Sequence, residues 1–473
     1  MTQAPRSSSP EESVFRLLIP ASDRPSSEAA SIDVAGQRWQ VANFGEVPPS
    51  VQAPEYTCVS YSWGAEREPS PWDGERLMSS RVMPTFSTAI AALRPRPSAI
   101  WLDAACMPPS DPARSLCLQS MGAIYAAASN VVAVLSPAAS TLLDKVRRGE
   151  AVGIEELQQL EADDWVSRVW TYQEMANSQG ISFLAEGGTG DPVNASRLFN
   201  AVGQALTQYR KVEQVDAYEF RGRHPRVDAL ETLSDDWLGA SSGNRSAYQV
   251  TTAMEGRIAV YAEDYFYAMI GAITSAPSSD PNGAAVSPSE YFMRVCEEKG
   301  DFSFVYSSAP RSSDDGRSWR PRPDRLPPIV PWPSTGAMQT GELHSALLHL
   351  HNMARVTFGP LDEKARIFIT AWLEKTVRSP LPSQMGDAVR ETLRRAGFAG
   401  CGEYLETVDG LFFPQHSPAD TSDSEVFVAT DIFFNFGAPG LLLNEAESGM
   451  AQFRDVGVFV GKVPQARETI ICT

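Results

Sequence analysis

The sequence lacks the features of a nucleic-acid-binding or membrane-spanning protein. Lys and Arg total 40 against 58 Asp and Glu, a formal net charge of −18, whereas affinity for a phosphate backbone comes from clustered basic side chains. No apolar run approaches the roughly 18 residues that a membrane-spanning helix needs. The Ser- and Pro-rich start has no apolar segment of the signal-peptide kind. We therefore expect a cytoplasmic protein that binds neither nucleic acid nor membranes.

Histidine and cysteine are also sparse. The six cysteines include no CxxC pair, and no histidine occurs in the first 223 residues, so a nucleophilic Cys106 would lack a histidine base in this part of the chain. Three histidines cluster in a predicted helix over Leu343–Met353, where His344 and His351 share a face and His349 points elsewhere. This spacing does not favour a metal site. We predict neither a bound metal nor a resident cofactor.

The composition is that of a globular protein with more than one core. With 473 residues and 43% hydrophobic side chains, the chain can bury the cores of two or three domains without disulfides or metals. The pattern along the chain divides it into four parts. We predict a disordered tail (1–12), an α/β domain (13–200), a mainly helical extension of that domain (201–335), and a terminal domain (336–473) that is first helical and then β-rich.

Predicted strands and helices alternate in the α/β domain. Runs of apolar, aromatic and β-branched residues predict strands at 14–19, 37–41, 56–64 (ending in a Trp-Gly turn), 99–103, 131–135 and 181–184. Helical spacing of apolar residues predicts helices at 84–93 and 118–128 and a third that begins at Trp165. This order predicts a doubly wound α/β fold around a parallel sheet.

Polar and aromatic side chains stand where two of these strands end. Tyr61, Ser62 and Trp63 lie at the end of one predicted strand, and Asp103 ends the next. Ligands of doubly wound folds bind beyond the carboxyl ends of the strands, so these residues are candidates for a ligand site. The alternative for the first three is an aromatic plug that closes the sheet. Asp103 would either orient a ligand hydroxyl or cap the following turn.

The helix from Trp165 carries the candidate catalytic carboxylate. Asp163 or Asp164 is its predicted cap. One stripe of this helix is apolar and should be buried: Trp165, Val169, Tyr172 and Ala176. A second stripe, which begins at Val166, places the Glu174 carboxylate one turn beyond the Trp170 indole, an arrangement that can raise the pKa of a carboxyl. The alternative is that Glu174 is a solvated glutamate on an acidic surface.

Six stretches resemble, in order, the motifs of the heterokaryon-incompatibility (HET) domain family. They are Tyr56–Gly64 (YTCVSYSWG), Ile100–Cys106 (IWLDAAC), Met121–Tyr125 (MGAIY), Trp165–Glu174 (WVSRVWTYQE), Glu263–Gly271 (EDYFYAMIG) and Leu326–Trp332 (LPPIVPW). The chain departs from the family pattern at Pro108-Pro109, Cys117 and Tyr265, where the family has Asn-Gln, Gln and Arg. The resemblance therefore implies a divergent member of the family.

HET domains in turn resemble TIR domains, whose "V-V-x-L-S" strand and "W-x-x-x-E" helix are similar to residues 131–136 and 170–174 of this chain. That resemblance implies a flavodoxin-like sheet. In enzymatic TIR domains the helix glutamate contacts the nicotinamide ribose of NAD and supports cleavage of the N-glycosidic bond. By this resemblance, Glu174 is the candidate catalytic residue, and Tyr61, Ser62 and Trp63 supply stacking and hydrogen bonds.

The chemistry needs only one carboxylate. Breaking a ribose C–N bond develops oxocarbenium character, which a carboxylate stabilises, and a cationic nicotinamide leaves without a general acid. Arg168 falls on a different helix face from Glu174 and is either a phosphate or interdomain partner or a member of a surface ion pair. Two hypotheses follow. The chain is an NAD-cleaving effector of a cell-death or defence response, with NAD as substrate, or a non-catalytic signalling module that associates with itself or a protein partner.

Overall fold

The fold is given by a computed structural model that describes residues 14–21, 31–47, 53–74, 76–239, 245–276, 286–312, 317–336, 338–375, 384–417, 423–445 and 450–473. The predicted disordered tail, 1–12, lies outside these residues. The chain divides into a first unit (Met1–Val215, Arg223–Gly243 and Gly256–Pro288) and a second unit (Asp216–Gly222, Asn244–Glu255 and Ser289–Thr473). Whether the predicted domains fold independently stays a prediction.

An eight-stranded sheet forms the centre of the first unit. The strands of this unit are β1 (Phe15–Pro20), β2 (Ser31–Val34), β3 (Gln37–Gly45), β4 (Thr57–Tyr61), β5 (Arg67–Pro69), β6 (Leu77–Ser79), β7 (Ile100–Trp101), β8 (Asn130–Leu135), β9 (Ile181–Ala185) and β10 (Val193–Asn194). The sheet order is β10-β9-β8-β4-β7-β1-β3-β2, and β5 pairs separately with β6. All five residues of β4 are buried, as expected of a strand covered on both faces.

The four inner strands β7, β4, β8 and β9 are parallel. The chain passes from β4 out to β7 and then back past β4 to β8, so its direction of progress across the sheet reverses at β4 and β8. In open parallel sheets, such a reversal leaves a crevice beyond the carboxyl ends of the strands. Tyr61 ends β4 and therefore stands at this crevice.

The outer strands β1, β2, β3 and β10 are antiparallel to their neighbours. The predicted α/β class is thus confirmed, whereas the sheet is mixed rather than parallel throughout. One reason is the turn between β2 and β3, where Ala35 and Gly36 have φ of 51° and 74°. Two successive residues with positive φ form the tight turn of a β-hairpin, which can only join antiparallel strands.

Helices connect the strands of the first unit, and further helices belong to the second unit. In the described residues they are α1 (Val82–Ala92), α2 (Asp103–Cys106), α3 (Ala113–Gln119), α4 (Met121–Ala127), α5 (Ser140–Arg148), α6 (Ile154–Glu161), α7 (Asp164–Ser167), α8 (Val169–Ala176), α9 (Ala195–Glu213), α10 (Ala217–Arg223), α11 (Pro225–Gly239), α12 (Ala247–Met254), α13 (Ala262–Ile273), α14 (Pro288–Lys299), α15 (Glu363–Leu373) and α16 (Met385–Arg395). No helix in the described part of the chain has the length and apolar character needed to cross a membrane.

The continuous helix predicted from Trp165 is wrong, because the helix breaks at Arg168. This residue is extended, with φ −76° and ψ 143°, and separates α7 from α8. A distant segment fills the break. The Ile258 N–H donates to the Ser167 carbonyl at 2.7 Å, and the Val169 N–H donates to the Ile258 carbonyl at 3.2 Å. Pairing with this segment therefore takes the place of one turn of helix.

Arg257 donates hydrogen bonds to backbone carbonyl groups at the break. Its guanidinium is buried and donates to the carbonyl oxygens of Val166 and Arg168, both at 3.2 Å, and of Ala229 at 3.1 Å. The Thr171 hydroxyl lies 2.8 Å from the Arg168 carbonyl oxygen. Buried carbonyls without partners are costly, so these contacts stabilise the break.

The start of α7 and its buried side follow the prediction. Asp163 is the cap and accepts the Trp165 N–H at 2.9 Å. The predicted buried stripe is at most 4% exposed at each position: Trp165, Val169, Tyr172 and Ala176. The local sequence thus determined which side chains are buried, while a partner segment outside the helix determined where the helix breaks.

Helices α4, α8 and α13 meet at two glycines. A Cβ atom on Gly122 would lie 2.1 Å from the Gly271 carbonyl oxygen, and one on Gly271 would lie 1.5 Å from Oε1 of Gln173. Asn177 donates to the same Gly271 carbonyl at 2.6 Å. A Cβ at Gly122 would meet backbone, so this glycine allows α4 to approach α13, and Gly271 leaves space for the Gln173 side chain of α8.

Strands dominate the second unit, as predicted for the end of the chain. They are β11 (Thr335–Gly336), β12 (Gly341–His344), β13 (Leu347–Val356), β14 (Leu405–Thr407), β15 (Gly410–Pro414), β16 (Ser424–Ala429), β17 (Ile432–Phe433), β18 (Gly437–Glu445), β19 (Ala451–Gly461) and β20 (Glu468–Cys472). Strand β20 pairs with both β13 and β19 and so closes the ring β13-β16-β18-β19-β20. The result is a barrel around a core that includes Val426, Leu442 and Phe459.

The helix predicted over Leu343–Met353 is wrong. These residues form the hairpin of β12 and β13. Leu348 and Leu350 are fully buried while His349 between them is not, which is the period-two alternation of a strand. The histidines consequently lie on a hairpin, and among the described residues no group of three or more His, Cys, Asp or Glu could hold a metal ion.

Candidate functional site

A cavity of about 740 Å³ lies in the first unit, beyond the carboxyl ends of β4 and β7. This volume is in the range of small-molecule sites. Six of the seven residues predicted for the site line it: Tyr61, Trp63, Asp103, Arg168, Trp170 and Glu174. The structure therefore brings strand-end residues and the α8 carboxylate together at the place where the crossovers of the sheet reverse.

Glu174 is buried and hydrogen-bonded from the sheet. Glu174 is only 7% exposed, and its Oε2 accepts a hydrogen bond from the Ser60 hydroxyl at 2.5 Å. Ser60 in turn accepts the indole N–H of Trp165 at 2.7 Å. Because an indole N–H can only donate, the Ser60 hydroxyl proton is left to point at Glu174. The relay from Trp165 through Ser60 thus orients the carboxyl.

The pKa of Glu174 is raised to about 7, chiefly by burial and also by the negative charge of Asp103. Three interactions oppose this rise in the pKa: the hydrogen bond from Ser60, the positive charge of Arg168, and a hydrogen bond from Tyr125. A carboxyl with this pKa changes charge near neutrality, as groups at catalytic sites often do. Glu174 is therefore neither solvated nor an ordinary surface glutamate, which rejects the alternative of a solvated side chain.

Asp103 holds two aromatic side chains of the cavity in place. Its carboxylate accepts the Tyr61 hydroxyl at 2.8 Å, the Trp63 indole N–H at 2.7 Å and the Ala104 N–H at 2.6 Å. Burial raises the pKa of Asp103, and these hydrogen bonds oppose that rise. The carboxylate thus stands at the start of α2 and also fixes the orientation of the Tyr61 and Trp63 rings.

Trp170, which lines the same cavity, is also held by a carboxylate. Its indole hydrogen-bonds to the Asp264 carboxylate, and both residues line the cavity. Trp63 and Trp170 are each only partly buried. Two tryptophans with indole N–H groups tied to carboxylates therefore present ring surface to the cavity, and such surfaces stack well on planar ligands.

Arg168 also lines the cavity, because its extended backbone takes its side chain out of the helical pattern. Its Nη1 is buried without a hydrogen-bond partner, and among the described residues the guanidinium forms no ion pair. Of the two predicted roles, a surface ion pair is not present in the described part of the chain. An unpaired guanidinium in a cavity suits an anionic ligand.

Ser62 is the exception among the predicted site residues, and its place in the cleft was predicted wrongly. It is 1% exposed, does not line the cavity, and donates nothing to Glu174. Its hydroxyl and carbonyl oxygens both accept from Arg81, which also pairs with Glu186 at 2.8 Å. The strand ends at Tyr61, so the regular alternation of side chains stops before Ser62, and Arg81 binds this residue from the start of α1.

Sequence reasoning missed the residues that hold Glu174 and Trp170 in place: Ser60, Tyr125, Trp165 and Asp264. The first three hydrogen-bond with one another or with Glu174, and Asp264 holds Trp170. Each of them lies inside one of the stretches that resemble HET motifs. Strand ends and helix stripes alone do not reveal such contacts between elements. The position of these residues within the HET-like motifs was the signal that could have identified them.

A comparison with protein families matches a segment that contains three of these four residues. Residues 56–174 match the family model described as heterokaryon incompatibility protein (HET). The matched segment begins at Tyr56, ends at Glu174 and contains Ser60, Asp103 and Trp165. No curated protein and no solved structure matches the chain. Residues 56–174 of this chain are therefore similar to the heterokaryon incompatibility protein (HET) family.

Proposed function

We propose that this chain is an effector of a cell-death or defence response that hydrolyses the N-glycosidic bond of NAD, with Glu174 as the catalytic carboxylate. The observation that carries the proposal is the buried Glu174 in a cavity that also holds two oriented tryptophans. The parallel order β7-β4-β8-β9 supports a flavodoxin- and TIR-like arrangement of this part of the sheet.

The reaction places one demand on the site, a negative charge at the anomeric carbon. The bond between ribose C1′ and the nicotinamide nitrogen breaks, its electron pair leaves with neutral nicotinamide, and an oxocarbenium ion remains. Water then adds to C1′ and releases one proton, giving ADP-ribose and H⁺. Ionised Glu174 stabilises the cation, and in a buried site this stabilisation is stronger than in water.

The charge of the ligand favours the active form of Glu174. A carboxyl with a pKa of about 7 is half protonated at neutral pH. The pyridinium ring of NAD carries a positive charge, and a positive charge close to a carboxyl lowers its pKa. Binding of the dinucleotide would therefore ionise Glu174 when the substrate is in place. Trp63 and Trp170 would stack on the planar rings.

The second candidate function is a non-catalytic signalling module that assembles with itself or a protein partner. One observation favours it. Three apolar residues that line the cavity are largely exposed: Leu77 (65%), Val260 (69%) and Tyr261 (70%). Exposed apolar groups of this size often mark contact surfaces.

The test is the rate of NAD loss by the full-length chain, alone and with a crowding agent that drives association. Glu174→Gln keeps the shape of the side chain and should lower the rate about a hundredfold or more. Glu156→Gln is the matched control, because Glu156 is a buried glutamate of the first unit that lies outside the cavity. Equal rates for Glu174→Gln and wild type would reject the mechanism. If the wild-type protein never consumes NAD, the non-catalytic signalling module becomes the favoured function.

A further inference from the structure

The cavity also holds arginines that form no ion pair with any carboxylate in the described part of the chain. Arg76 and Arg114 line it together with Arg168, and among the described residues none of the three forms an ion pair. Elsewhere in this acidic chain arginines do pair with carboxylates, as Arg81 does with Glu186 at 2.8 Å and Arg320 does with Glu290 at 2.7 Å. In a chain of net charge −18, guanidinium groups without an ion pair are unexpected.

Arg16, Arg76 and Arg114 converge from three different elements. Arg16 lies on β1, Arg76 directly precedes β6, and Arg114 lies on α3. Nη1 of Arg16 and Nη1 of Arg76 both donate to the carbonyl oxygen of Met107, at 3.3 and 3.2 Å. Two cations thus share one neutral oxygen, and the buried Nε of Arg16 has no hydrogen-bond partner among the described residues.

The positive charges at this end of the cavity are close enough to repel one another. Burial lowers the pKa of Arg76, and the neighbouring charges of Arg114 and Arg16 lower it further, with Asp73 and Asp103 opposing. Fixed like charges cost free energy unless a counter-charge arrives. Planar guanidinium groups bind phosphate oxygens in pairs, and several of them together suit a group with more than one negative charge.

We propose that Arg76 and Arg114, positioned with Arg16 around the Met107 carbonyl, form a diphosphate-binding subsite. The inference rests on the proposed function, because it specifies the substrate class of the same cavity. The cavity then has an acidic part with Glu174, Asp103 and Asp264 and a basic part with these arginines. A dinucleotide with a cationic pyridinium ring and an anionic diphosphate matches both parts. A nucleoside, which has no phosphate, matches only the first.

The binding test uses the full-length Glu174→Gln variant, in which the probes are not consumed. Calorimetric titrations with ADP-ribose, adenosine and inorganic pyrophosphate should show binding of ADP-ribose and pyrophosphate and weaker binding of adenosine. A charge-assisted hydrogen bond contributes enough that adding Arg114→Gln or Arg76→Gln should weaken ADP-ribose binding by about tenfold to a hundredfold. Adenosine affinity should not change. ADP-ribose affinity should also fall as salt is raised.

Arg148→Gln is the matched control, because Arg148 is an exposed arginine of the first unit outside the cavity. Arg114 is itself exposed, so its replacement should leave the thermal midpoint unchanged and separate binding from folding. If ADP-ribose and adenosine bind equally well, if neither binds, or if the arginine variants bind like the control, the subsite is refuted. If pyrophosphate binding depends on Arg114 but wild-type protein never cleaves NAD, the subsite stands and the proposed hydrolase fails.

Discussion

Removing the Ser60 hydroxyl should move the pH dependence of NAD cleavage upward. Ser60 donates to Glu174 at 2.5 Å, and this bond opposes the rise that burial causes in the Glu174 pKa, which stands at about 7. A hydrogen bond to a charged group is worth roughly 1.5–3 kcal/mol, and one pKa unit corresponds to about 1.4 kcal/mol. In Ser60→Ala we therefore expect the midpoint of the pH–rate profile about one to two pH units above the wild-type midpoint.

The size of the rate effect follows from the fraction of ionised Glu174. The ionised form stabilises the developing cation, so kcat/KM should rise with pH and become level above the pKa. At pH 7 about half of the wild-type carboxyl is ionised, against roughly a tenth to a hundredth in Ser60→Ala. The variant should therefore be about fivefold to fiftyfold slower at pH 7 and recover most of this loss at about pH 9.

Ser62→Ala provides the control for this experiment. Ser62 lies two positions along the chain from Ser60, is equally buried, and binds Arg81 instead of Glu174. Its replacement should leave the midpoint where it is. If Ser60→Ala shows a uniform loss of rate at every pH, or a midpoint that moves to lower pH, Ser60 does not hold down the pKa of Glu174 and the orienting relay is wrong.

Three further predictions concern stability. Because burial raises the pKa of Glu174 from 4.5 to about 7, the folded chain loses stability as pH rises through this interval. Denaturant unfolding should therefore find Glu174→Gln more stable than wild type by roughly 3 kcal/mol at about pH 8, with no difference near pH 4. Gly122→Ala, where an added Cβ would lie 2.1 Å from a backbone oxygen, should cost about 1–3 kcal/mol of unfolding free energy, whereas Gly203→Ala, where an added Cβ meets no atom of a neighbouring element within 4 Å, should be neutral or mildly stabilising; equal effects would contradict the glycine contact. Arg257→Met should lower the thermal midpoint by several degrees, because buried carbonyls lose their donor, and Arg148→Gln should not.

The local sequence pattern predicted most strands of the sheet, because a short run of apolar or β-branched residues is enough to identify a strand. The apolar strand β8 and the buried face of α7 and α8 needed only neighbouring residues to be recognised. The break at Arg168 could not be predicted in this way, since it depends on hydrogen bonds with Ile258, which lies far away in sequence. The β12–β13 hairpin was mistaken for a helix because Leu and His at 343–353 satisfy both helical and alternating spacing.

The candidate site could be predicted as far as topology alone determines it. Strand ends and one helix stripe brought Tyr61, Trp63, Asp103 and Glu174 to a common cavity. The contacts that set the pKa of Glu174 could not be predicted, because the hydrogen bond from Ser60 depends on how closely α8 approaches β4. The direction of a side chain beyond the end of a strand could not be predicted from the sequence pattern either, as the position of Ser62 shows.

The break at Arg168 bears on how this site can be inherited. The family match ends at Glu174, yet the Arg257 guanidinium and the Ile258 backbone that brace the break come from a later part of the chain. Recombination just after residue 174 would separate the carboxylate from its brace, even though every matched position were retained. Exchange between relatives should therefore preserve residues 56–264 as one block, and breakpoints within that block should be selected against.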